Sequence, residues 1–189
     1  ALAICTVTLN SDITLTSILD INRSVTIDGA THKIIAGFSN DSVIQISAND
    51  VTVKNLIEDA TGTTGNRGIN VYRAAGVLLD TVTVSNNSKN GIVVNGSTVT
   101  VNNISTLNNG WEGIDVDLGS GVTTPASLTV NGVSTDNNNT RAAIRIDDIT
   151  KAVSVTDTNN QYVATTAGNT TDYMLIAKTT VTAVTQKRK

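Results

Sequence analysis

Residues 91–116 read GIVVNGSTVTVNNISTLNNGWEGIDV, and they hold one full period of a repeat. A small residue is followed by an alternating apolar triplet, Ile92-Val93-Val94. A second triplet, Val99-Thr100-Val101, comes next, then a single apolar position at Ile104 and a turn at Asn108-Asn109. The period then restarts at Gly113 with Ile114-Asp115-Val116. Three short strands and a fixed turn within about 22–25 residues describe one winding of a solenoid.

The same pattern extends outward in both directions. First triplets start at Leu19, Ile44, Ile69, Ile92, Ile114, Ile144 and Met174, and second triplets at Val25, Val51, Val77, Val99, Leu128, Val153 and Val181. The third apolar position recurs as Leu56, Val82, Ile104 and Val133, and the Asn pair as Asn86-Asn87, Asn108-Asn109 and Asn137-Asn138. Side chains alternate along a strand, so the outer residues of each triplet point inward and the middle one outward. No single coil buries its apolar face alone, but a stack does. The Asn pairs suit ladders of side-chain amides running along the axis. The expected fold is therefore all-β: a right-handed parallel β-helix of about seven coils, one domain over residues 1–189.

Composition agrees. The 189 residues include 31 Thr and 22 Asn but one Trp, one Phe and one Pro, so the core must be aliphatic and the turns rich in Asn. A Leu-rich horseshoe would need a Leu consensus and often a helix per repeat, and neither is present. The net charge of −3 gives no electrostatic basis for nucleic-acid binding. No apolar run approaches the ~18 residues of a membrane span. One cysteine, Cys5, and one histidine, His32, leave no thiolate–imidazole metal set.

Three segments break the period: residues 58–67, 117–127 and 161–173. All read as surface loops, where function is often inserted. The outward middle positions of the first strand stack as Asp20, Gln45, Asn70, Val93, Asp115, Arg145 and Leu175. The next outward column reads Tyr72, Asn95, Asp117 and Asp147. Glu112, Asp115, Asp117, Arg145, Asp147 and Asp148 should thus share one face, with Trp111 on the adjoining turn.

Such carboxylates can hold a hard cation, with Asp115, Asp117 and Asp147 as ligands and Ca2+ as the fitting ion. With Arg145, the same three acids are the candidate catalytic set for a glycosidase or a lyase. Tyr72, Asn95, Trp111 and Glu112 are candidates for sugar contact. The plain alternative is cross-strand ion pairing, Asp115 with Arg145, worth about 0.2–1 kcal/mol. Trp111 is equally suited to stacking on a sugar and to packing on its neighbours.

On the second strand the outward column is Thr26, Thr52, Leu78, Thr100, Thr129, Ser154 and Thr182. A regular Thr array can match ice, but the neighbouring column carries Asp28, Lys54 and Asp80, and exposed Thr is ordinary in strands. His32 reads as a surface turn residue without a visible partner. No phosphate-binding Gly motif occurs.

The coil pattern resembles the pectate-lyase-like superfamily of right-handed β-helices. The opening VTLNSDITLTSILDINRSVTIDGATHKI is similar to the first coils of bacterial surface β-helix proteins, often joined to S-layer homology modules. The resemblance implies an extracellular or cell-surface setting and a piece of a longer envelope protein. The superfamily's Ca2+-binding and Arg or Lys base motifs are not matched. Nor is a polygalacturonase-type trio of Asp residues with a partner His. The expectation is a non-catalytic spacer or adhesin that binds polysaccharide or another envelope component, with no resident cofactor and with solenoid ends open to self-association. A polysaccharide lyase or glycoside hydrolase is the alternative.

Overall fold

A computed structural model describes residues 5–117, 122–132, 134–148, 154–157, 162–164, 171–177 and 183–185. Its strands form two sheets, and every strand pair among the described residues is parallel. The chain is a parallel β-solenoid of about five complete turns, against the seven expected, with no helix among the described residues. Seven strands do stack on one face, from Leu19–Ile21 to Thr171–Ala177. The second sheet, of thirteen strands, wraps the other two faces. It is continuous because the strands Thr52–Asp59 and Val77–Ser85 each run round the corner from the second face to the third.

The register of the first face follows the aliphatic repeat. Ile44 pairs with Ile69, Ile69 with Ile92, Ile92 with Ile114 and Ile114 with Ile144. All five are 0–1% exposed. A one-residue slip would turn each Ile outward, so burial of this column fixes the register. The second face does the same with Val77, Val99 and Leu128, and the third with Leu56, Val82 and Ile104; all six are buried.

Beyond residue 148 the expected columns shift. Val155, not Val153, pairs with Leu128, and Val184, not Val181, pairs with Val155. On the first face Tyr173 is the partner of Ile144, so Met174 lies one residue out of the column, beside Arg145, and Leu175 pairs with Ile146. The Thr column accordingly continues through Thr156 and Thr185, not Ser154 and Thr182. Side chains of 171–177, and of Val133, lie outside the described residues. All three expected loops are partly strand, 117–127 only at its ends, Asp117 and Ser127. Glu58 and Asp59 end one strand and Arg67 begins the next. Tyr162–Ala164 forms a strand of the third face against Ser134–Asp136.

Corners are turned by residues in the left-handed region. Asn55, Thr81, Asn103 and Gly132 do so between the second and third faces, and Asn86, Asn108 and Asn138 after the third. Asn tolerates positive φ better than other non-glycine residues, which accounts for its place at these positions. The residue after each of these last three faces inward. Asn109 Oδ1 accepts from both the backbone N–H and Nδ2 of Asn87, and Asn139 Oδ1 accepts from the same two groups of Asn109. Asn87, Asn109 and Asn139 are at most 1% exposed. The expected ladder is real, but its third rung is Asn138-Asn139 and not Asn137-Asn138. Asn137 still belongs to the preceding strand.

At the start of the first face Gly68 and Gly91 have no space for a side chain. A Cβ on Gly91 would stand 2.7 Å from Gly113 O and 2.8 Å from Asn109 Nδ2. The ladder thus packs directly behind the first-face strands.

Candidate functional site

The two outward columns of the first face come together as the sequence requires. Val93 pairs with Asn70 and Asp115, and Asp115 with Arg145; Asn95 pairs with Tyr72 and Asp117, and Asp117 with Asp147. They line an open depression of about 400 Å³, with Trp111 and Arg67 on its lead-in side. Of the proposed contact and catalytic residues, Tyr72, Asn95, Trp111, Asp115, Asp117 and Arg145 all line it. Asp147 is adjacent to Asp117 through its backbone, and its side chain, like that of Asp148, lies outside the described residues.

Asp115 is the best-held group on this surface. Arg145 Nη1 stands 3.2 Å from its Oδ2 and 3.4 Å from Oδ1, and Asn90 Nδ2 donates to Oδ2 at 3.2 Å. Asp115 is 6% exposed. A carboxylate held by a guanidinium and an amide is fixed in position as an acceptor.

Glu112 does not join the face. It is fully buried, accepting from Asn90 Nδ2 at 2.7 Å, while Arg141 Nη1 lies 3.6 Å from its second oxygen. The reason lies in its slot. Glu112 immediately precedes the small-residue column, where Ser42, Asn90 and Ala142 are buried as well. Arg67 occupies this slot too, is half-buried and lines the depression. Reading the slot as a column would have found it.

Trp111 packs between two cations of neighbouring coils. The Arg141 guanidinium lies 4.4 Å and Lys89 Nζ 5.8 Å from its ring, within cation–π range. Arg73 lies 4.9 Å over the Tyr72 ring. Both aromatics are therefore fixed in place beside the depression. Among the described residues no group of three His, Cys, Asp or Glu side chains is arranged to hold a metal.

Two other groups differ from expectation. His32 has a partner: its Nδ1 lies 3.3 Å from Asp12 Oδ1, and the same carboxylate accepts the Lys33 backbone N–H at 2.9 Å. That backbone bond, with His32 beside it, holds the Asp12 carboxyl below its usual range. Glu58, read from sequence as loop, is a fully buried strand residue between Ile34 and Val84. Burial pushes its carboxyl up to about 8, against the opposing effect of the Asn87 amide and the Ser85 N–H. The alternation of the preceding strand, Leu56 in and Ile57 out, placed Glu58 inward; its charge argued the other way.

Compared with known proteins, the chain matches no family model and no curated relative. The parallel β-solenoid is consistent with the β-helix superfamilies.

Proposed function

We propose that this chain is a non-catalytic β-solenoid module of an extracellular or bacterial cell-surface protein, of pectate-lyase-like type, that binds polysaccharide on its first face. The observation that carries the reading is the depression itself. It is polar, open along the stack and lined by fixed side chains that can accept and donate hydrogen bonds. An elongated groove over repeated coils suits a linear chain of sugars, whose hydroxyls need donors and acceptors at regular intervals. Val93, 5% exposed, gives the floor an apolar patch. The clamp on Asp115 by Arg145 and Asn90 favours binding over catalysis, because both of its oxygens already accept hydrogen bonds from the protein.

The pairing of Asp117 with Asp147 in adjacent coils favours one second reading, a carbohydrate-active enzyme. Neighbouring carboxylates can divide acid and base roles. In that reading Asp115, Asp117 and Asp147 with Arg145 form the active site, with or without Ca2+. A panel of neutral and uronic-acid glycans, with and without added Ca2+, tests both. Saturable binding without turnover supports the module. Turnover that is lost in Asp115→Ala establishes the enzyme and removes the first reading.

A further inference from the structure

The amide ladder ends abruptly at its first rung. Asn139 and Asn109 each present Oδ1 to the backbone N–H and amide of the Asn one coil before. The coil before Asn87 holds no Asn in that slot. The chain leaves the solenoid after Asp59 in the turn around Thr61–Thr64, so Asn87 Oδ1 is buried without a hydrogen-bond partner. What stands there is Glu58. Its Oε2 accepts from Asn87 Nδ2 at 2.8 Å, and its Oε1 is also buried and without a partner. A carboxyl and an amide thus share one hydrogen bond and leave over two acceptors, with no hydrogen to place between them. Two orphaned oxygens in a closed aliphatic tube are unfavourable, because each has given up its hydrogen bonds to water without replacement.

One proton resolves both. We propose that Glu58 is carried as a neutral carboxylic acid that donates from Oε1 to Asn87 Oδ1, closing a two-bond acid–amide pair that caps the ladder and makes the first rung a pH-responsive clasp. The surroundings supply no alternative. Asp59, next along the strand, is negative, and its partner Lys33 on the adjoining strand is 3.7 Å from Asp59. The facing residues above and below are Ile34 and Val84, Ser85 contributes only backbone and hydroxyl groups, and no cation pairs with Glu58 among the described residues. A buried charge without a counterion gives way to the neutral form.

The direction of the pH effect follows. With its carboxyl raised from 4.5 to about 8, the folded chain keeps a proton that the unfolded chain releases between those values. The stabilisation is complete below about pH 4.5, declines as pH rises, and is gone above about 8.

The chain has only two glutamates, Glu58 and Glu112, so carbon-13 labelling of glutamate side-chain carboxyls yields two resonances in the intact protein. One should remain in the protonated position at pH 6.5 and titrate with a midpoint near 8. It should persist in Glu112→Gln and vanish in Glu58→Gln. In Glu58→Gln the amide keeps both bonds, so its melting temperature should stay level between pH 5 and 8.5 relative to the wild type, whose melting temperature falls. Two ionised resonances at pH 6.5, or parallel melting profiles, would overturn the clasp. If Glu58→Gln does not fold, the titration of the wild type and of Glu112→Gln still decides.

Discussion

Arg145 reaches back across one coil to Asp115, with Nη1 3.2 Å from Oδ2, and the pair is largely enclosed, the side chains 20% and 8% exposed. Cα pairing of the two residues aligns their side chains, so the contact follows from the register. Removing one partner from such a pair costs more than the pair itself contributes, because the other is left without compensation. Arg145→Ala should destabilise the fold by about 1–3 kcal/mol. Asp115→Asn, which keeps shape and an acceptor, should cost less. Denaturant melts of both variants and of the double variant give the coupling. A coupling near zero would show that the pair is only apposed.

The aliphatic columns make a sharper prediction. Ile114 and Val99 are at most 1% exposed and lie in the middle of the stack. Ile114→Asp or Val99→Asp places a carboxylate where no cation or water can reach it, and each should cost at least about 4 kcal/mol. Thermal unfolding followed by far-ultraviolet circular dichroism measures it. An unchanged melting temperature would mean that these side chains do not face the core.

The ladder is testable in the same way. Asn109 accepts two bonds from Asn87 and donates to Asn139 and to the Val84 carbonyl. Asn109→Ala leaves the Asn87 backbone N–H buried without its acceptor and opens a polar gap in the ladder, and should cost about 2–4 kcal/mol. Asn131→Ala, on the outward side of a second-face strand, should cost at most about 0.5 kcal/mol. Equal losses would reduce the ladder to ordinary turn polarity.

The sequence was most legible where one face is aliphatic and the spacing short. From Leu19 to Ile146 the Ile and Val columns allow one register, since any slip exposes them. After Asp148 the strands are rich in Thr, Ser and Ala, so several alignments preserve alternation; Val153 and Val155 differ only in which one is used. The Met174 shift has the same origin: Thr171–Ala177 offers Tyr173 and Leu175 as readily as Met174 and Ile176. Lateral neighbours on the first face were readable because they depend on register alone. Depth was not. Glu112 and Glu58 are acidic residues in inward slots, and only the position of the slot within the coil, not the residue type, reveals that they are buried. The pairing of Trp111 with Lys89 and Arg141 was hidden for another reason, as it depends on which turn residues stack, and turn lengths differ between coils.

With Arg145 and Asn90 already occupying Asp115, chelation of divalent cations should leave glycan binding within about twofold of its untreated value, an affinity change below about 0.4 kcal/mol. Titration calorimetry with and without chelator checks this, and a loss of tenfold or more would place a cation in the site.

Trp111 is the only tryptophan of the chain and lines the depression, so its fluorescence reports directly on occupancy of the first face. Titration with the tightest-binding glycan of the panel, with released sugars followed in the same samples, is the decisive measurement. A saturable change in Trp111 emission with the polysaccharide recovered intact is the expected result. Binding that leaves the emission unchanged, or fragments that accumulate with time, would contradict a non-catalytic glycan surface at this place.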